Sequence, residues 1–206
     1  VLKQDYPQRK TVMTRRDPND PNGIGDELKT HILILGTLVG IMWIVEVVDI
    51  ALAGKLNYLG IYPRNAIGLR GILLAPFLHR DFRHLISNTI PLVVMGWFVM
   101  LRGVSEFFKV SAIVMLASGL GVWLLGAPGL HIGASGVIFG YFGFLLSRAY
   151  FERSALSIAM SLAVGLLYGG IIWGVLPGQL GISWEGHLFG FLSGIFAARQ
   201  ISLRRW

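Results

Sequence analysis

His131-Ile132-Gly133-Ala134-Ser135-Gly136 interrupts an otherwise apolar half of the chain. Uncharged, largely apolar sequence precedes it from Val110 to Leu125 and follows it from Val137 to Leu146. Pro128 and Gly129 mark a turn just upstream, so Ala127–Ala134 reads as a break between two helices and Ser135 as the first residue of the second. A glycine-flanked serine there is hard to explain as lipid-facing surface. It reads as a nucleophile at the buried end of a transmembrane helix, and the rest of the chain tests that reading.

Composition sets the class. Of 206 residues, 54% are hydrophobic and 14% charged, and the mean hydropathy is +0.64. A soluble domain of this size carries about 25% charged residues. Long uncharged runs with so few charges indicate an integral membrane protein. Lipid leaves no partner for irregular backbone, so a helical bundle follows. The net charge of +7 does not indicate nucleic acid, because the basic residues flank the apolar runs, where orientation and lipid headgroups account for them. The absence of cysteine excludes disulfides, thiolate metal sites and a Cys nucleophile. No metal or other cofactor is expected.

Residues 1–30 mix six Lys/Arg with five Asp/Glu and hold three of the eight prolines, which reads as a polar cytosolic tail, flexible or loosely folded. They do not resemble a signal peptide, and the apolar run that follows is too long for one. Residues 31–206 form the second unit, with six spans: Ile32–Ala53, His84–Leu101, Val110–Gly126, Ser135–Phe151, Ala155–Val175 and Trp184–Ile201. Residues 54–83 are a long first loop with apolar stretches, expected to lie partly in the membrane as short amphipathic helices. Glu46 and Asp49 share one face of the first span and are expected to pair with Arg or Lys of that loop, or to snorkel. With both termini inside, thirteen Lys/Arg are cytosolic and the five outside (Lys55, Arg64, Arg70, Arg80, Arg83) all lie in the first loop. That bias fits termini in the cytosol and a site opening outward. The fourth span has about 16 residues, roughly 24 Å, short of a hydrocarbon core of about 30 Å. Ser135 is therefore placed below the outer surface. A bacterial plasma membrane is the expected location.

Three polar groups fall at this outer level: Ser135, His187 on the sixth span, and His84 with Asn88 on one face of the second. A serine hydroxyl needs a base to take its proton, and histidine is the usual one near neutral pH. The oxyanion that attack creates needs fixed donors, which His84, Asn88 and the Ser135 N–H can supply. No carboxylate obviously orients His187, so the pair reads as a dyad. Gly136, Gly140 and Gly143 on the fourth span, and Gly190 and Gly194 on the sixth, are spaced for close helix contact. Gly133 permits the bend into the helix, and Phe139 is placed to pack on the His187 ring. Taken singly, a serine or a glycine stripe in a span more often means packing. His79 and Arg80 read as interfacial, and His131 as a weaker rival base on a poorly held break.

Three motifs in this order resemble the rhomboid intramembrane serine proteases: H-x-x-x-N at His84–Asn88, G-A-S-G at Gly133–Gly136, and W-E-G-H-L-F-G-F-L-S-G at Trp184–Gly194. The resemblance covers roughly residues 31–200. It implies an all-α six-transmembrane-helix bundle with a short central fourth helix and a membrane-embedded first loop. It also implies a Ser135 nucleophile, a His187 base, and stabilisation of the oxyanion by His84, Asn88 and the Ser135 N–H. Substrates would be single-span or multi-span membrane proteins, cut in or near a transmembrane segment where helix-destabilising residues occur, with a monomer sufficient for catalysis. Two positions depart from the family pattern. Leu69-Arg70 stands where Trp-Arg is frequent, and Phe139 where tyrosine is. A rhomboid-like pseudoprotease that binds membrane proteins without cutting them, and a small transporter, are the alternatives. The intact Ser135/His187 pair argues against the first, and the lack of an inverted repeat against the second.

Overall fold

The computed structural model describes residues 23–178 and 181–203. These build α1 (Gly23–Ala51), α2 (Gly71–Leu74), α3 (Phe82–Met100), α4 (Val104–Leu125), α5 (Ser135–Glu152), α6 (Ala155–Tyr168) and α7 (Trp184–Leu203), with four 3-10 segments. Local chemistry sets most ends. The Asp81 carboxylate accepts the His84 N–H and caps α3. Ser154 and Ser157 form a capping box on α6. Arg153 closes α5 in a left-handed conformation. Arg64 donates to the Gly126 and Leu124 carbonyls, placing a cation on the C-terminus of α4.

α5 is central and packs against α3, α4, α6 and α7, while α1 lies outside on α3. A row of large α5 side chains (Phe139, Tyr141, Phe142, Phe144, Leu145) is buried. The outer helices instead turn apolar groups outward: Leu33 is 70% exposed and Leu166 87%. Faces of that kind need a non-aqueous surrounding. Among the described residues, three helical stretches are long and apolar enough to cross a membrane: Ile24–Ala51, Val104–Leu125 and Ala155–Val175.

The fold also departs from the sequence reading. Residues 1–22 of the expected tail lie outside the described residues, but Gly23–Thr30 already belong to α1. Asp26 sits in its first turn, where an anion is favoured, and contacts Lys29 at 3.3 Å. The expected fifth segment is α-helical only to Tyr168, and Gly169–Val175 tightens to 3-10 geometry. Among the described residues Asp49 takes no Arg or Lys partner. It accepts the Leu56 N–H and the Asn57 amide, both at 2.6 Å, and so anchors the first loop to α1. Glu46 does not snorkel, being 2% exposed, and among the described residues it finds no cation.

The first loop does contain short helices: Leu56–Leu59, Ala66–Arg70, α2 and Ala75–Phe77. It also reaches across the molecule. Ile61 and His131 exchange both backbone hydrogen bonds at 3.0 Å, and the Gly133 N–H donates to the Ala75 carbonyl at 2.9 Å. The break before Ser135 is therefore held by backbone bonds from residues about sixty to seventy positions earlier. Arg70 stays within this loop and donates to the Tyr58 carbonyl at 3.1 Å.

Candidate active site

Ser135 is the first residue of α5, and its cap, Ala134, offers no side-chain acceptor. The first N–H groups of a helix have no intrahelical partner, so Ser135 combines a hydroxyl with unsatisfied donors at the positive end of a helix. Ser135 borders a cavity of about 660 Å³ with His84, Asn88 and His187. The structure thus gathers the four polar residues singled out from the sequence.

Gly133 explains how His84 comes so near. Its φ is +113°, a conformation that side chains disfavour. A Cβ there would lie 2.7 Å from His84 Cε1, 2.8 Å from His84 Nε2 and 3.8 Å from Ser135 Oγ. The missing methyl thus lets the imidazole and the hydroxyl approach one point from two sides. Asn88 is buried and donates one amide hydrogen to the His84 carbonyl at 2.9 Å, leaving the second for the cavity.

His187 is 8% exposed and doubly held. Its Nδ1 lies 2.9 Å from the Gly174 carbonyl. A carbonyl only accepts, so Nδ1 carries the proton and the neutral ring presents Nε2 as a lone pair. Phe139 stacks on the ring at 4.1 Å with planes 7° apart. The Gly174 carbonyl does for this ring what a carboxylate does in a triad. It was not legible from the sequence, because a backbone atom in a tightened helix end leaves no residue signature. Among the described residues no hydrogen bond joins Ser135 to His187, and such bonds commonly tighten only when substrate binds.

The glycines bring α5 and α7 together as their spacing predicts, with one change of partner. A Cβ on Gly190 would collide with the Gly136 carbonyl, and one on Gly194 with the Gly140 carbonyl, so backbone meets backbone. The space beside Gly140 itself is filled by Val114 of α4 rather than by α7. Gly136 is less confined, since its Cβ would sit 3.4 Å from the Gly186 carbonyl.

Two histidines are more tightly held than the sequence suggests. His79 is buried, 1% exposed and edge-on to His84 at 5.1 Å. Among the described residues neither ring nitrogen has a hydrogen-bond partner. Burial, and then the neighbouring His84, push its pKa down to about 4. Nearby, the Asp81 carboxyl is held below its ordinary range by the His84 N–H and by Arg80. His131 is not poorly held. Its Nδ1 lies 2.7 Å from Ser183 Oγ and its Nε2 2.9 Å from the Ala127 carbonyl, so neither nitrogen is free to act as a base.

Comparison with known proteins identifies the family. Residues 68–204 match the family model described as Rhomboid domain. Uncharacterized proteins of Mycobacterium bovis and Mycobacterium tuberculosis are 42% identical over 175 residues, covering 81% of this chain and 73% of theirs. One from Mycobacterium leprae is 39% identical, covering 81% of this chain and 69% of its own. The chain belongs to the rhomboid family, whose members are typically intramembrane serine proteases. It is a helical membrane protein with bacterial relatives.

Proposed function

We propose that the chain is an active intramembrane serine protease using a Ser135–His187 dyad. The observation that carries this reading is the state of His187. With Nδ1–H engaged by the Gly174 carbonyl and Phe139 against the ring face, Nε2 is the nitrogen left for the cavity that Ser135 borders. As Ser135 Oγ attacks the scissile carbonyl, its proton passes to Nε2. The resulting oxyanion takes hydrogen bonds from His84, the Asn88 amide and the Ser135 N–H. His187 then gives its proton to the departing amine, and water releases the acyl group by the same route.

The substrate class is membrane proteins, single-span or multi-span, cut in or near a transmembrane segment. Six of the helices serve as spans, with both termini cytosolic and the cavity opening outward. The excess of Lys/Arg on the inner side supports this orientation. All the reacting groups come from one chain, so a monomer suffices.

Reconstitution in liposomes with a model single-span substrate tests the reading. The wild type is expected to cut and Ser135→Ala to be inert. Cleavage that persists in Ser135→Ala would remove the assigned nucleophile. A wild type inert toward several substrates would favour a pseudoprotease that only binds membrane proteins.

A further inference from the structure

Below the cavity, α5 and α7 are fixed by the contacts of Gly136 with Gly190 and of Gly140 with Gly194. At the cavity itself both helices are only beginning. The residues leading into Ser135 are the irregular Gly126–Ala134 segment, and Gly181–Ser183 just before α7 are likewise irregular. Four hydrogen bonds form a network here, and two of them join the segments. The Ala127 N–H donates to Glu185 Oε1 at 3.0 Å. His131 Nε2 meets the Ala127 carbonyl at 2.9 Å, and His131 Nδ1 meets Ser183 Oγ at 2.7 Å. Ser183 Oγ accepts the Gly186 N–H at 3.3 Å.

The donors and acceptors admit one neutral arrangement. The Ala127 carbonyl can only accept, so His131 carries its proton on Nε2 and offers Nδ1 as acceptor. The Ser183 hydroxyl then donates to Nδ1 while its oxygen accepts from Gly186. Glu185, 6% exposed, closes the ring from the first turn of α7. Every member is satisfied, the condition under which a partly buried polar network rigidifies its surroundings. The clasp lies four residues before Ser135 at His131, and two residues before His187 at Glu185.

We propose that His131, Ser183 and Glu185 are positioning residues that fix the N-terminus of α5 against the first turn of α7, and so the nucleophile against its base. The proposal rests on the dyad reading above. None of the three touches the reacting atoms. They act by tying the two segments to each other, whereas the backbone bonds from Ile61 and Ala75 tie the break to the first loop. Loss of the clasp therefore lowers turnover more than substrate binding, because misplacement of reacting groups by about 1 Å costs on the order of 10²-fold in rate.

The test uses the full chain in lipid nanodiscs, with two readouts: amide hydrogen exchange at Ala127 and Gly186, and cleavage kinetics on a model single-span substrate. His131→Phe and Glu185→Leu are expected to speed exchange at both amides and to lower kcat by about 10- to 100-fold, with KM within about twofold. Glu185→Gln keeps an acceptor oxygen for the Ala127 N–H and is expected to retain near-wild-type kcat. Ser183→Ala, which deletes a single oxygen, carries the test if the larger changes prevent folding. Faster exchange with unchanged kcat would overturn the positioning role. Unchanged exchange in all variants would overturn the clasp itself. A wild type that cuts nothing refutes the protease reading instead, and the exchange arm then decides the clasp by itself.

Discussion

Replacing Gly190 with alanine puts a methyl group where α7 has none to spare. The added Cβ would lie 3.0 Å from the Gly136 carbonyl carbon and 3.3 Å from its Cα, and closer still to its oxygen. Ordinary contacts of this kind sit at about 3.5–4.0 Å. The obstacle is helix backbone, which cannot rotate aside, so α5 and α7 must part by about 1 Å. Overpacking of this sort costs about 1–3 kcal/mol. His187 lies three residues earlier on the same helix, so its displacement relative to Ser135 is expected to lower kcat by roughly 10²-fold. Gly136→Ala is the control. Its methyl group meets the Gly186 carbonyl at 3.4 Å and Ser118 Oγ at 3.5 Å, which is ordinary contact. Alanine in place of a helical glycine also contributes about 0.5–1 kcal/mol, so stability is expected to stay within about 1 kcal/mol of wild type. Denaturant unfolding in mixed micelles, paired with proteoliposome kinetics, reads both quantities. Equal destabilisation by the two substitutions, or full activity in Gly190→Ala, would refute the claim that this backbone contact sets the dyad geometry.

Other substitutions probe separate parts of the account. Gly174→Ala would place a Cβ 2.9 Å from Phe139 Cζ and 3.1 Å from His187 Nδ1, so a fall in kcat of about 10- to 100-fold with little change in KM is expected from steady-state kinetics. His79 is neutral in the fold because burial lowers its pKa to about 4. The unfolded chain takes up that proton at about 6.5, so stability of order 3 kcal/mol is present above pH 6.5 and drains away as pH falls toward 4. Thermal unfolding of His79→Phe should therefore show a shallower loss between pH 6.5 and 5 than the wild type; parallel curves would contradict it. Arg148, 1% exposed, is the cation that Glu106 and Glu152 share. Arg148→Met is expected to destabilise by about 3–5 kcal/mol in the same micelle assay, since it removes a buried cation from its ion pairs with two carboxylates.

What the sequence made legible was what local chemistry records. Hydropathy located the long helices, and the spacing of Ser135, His187, His84 and Asn88 placed them at one level. Phe139 was read as a ring on His187, and it stacks there at 4.1 Å. Partners distant in sequence were not legible. Ile61 pairs with His131 through backbone atoms, which carry no residue preference, so the break looked unsupported. The Gly174 carbonyl was missed for the same reason. Spacing put Gly140 on a contact face but did not say that Val114 of α4 fills it. His79 reads as interfacial together with Arg80, whereas its burial depends on the first loop packing against α1, α4 and α5, partners distant in sequence.

The central claim is that Ser135 is a nucleophile activated by His187. Covalent labelling with a fluorophosphonate tests it most directly, because the probe needs only an activated serine and no knowledge of the substrate. Mass mapping of the labelled wild-type protein in lipid is expected to find one phosphonyl group, on Ser135, and none in a folded His187→Ala variant. Labelling at another residue, or labelling of Ser135 at the wild-type rate without His187, would contradict the account.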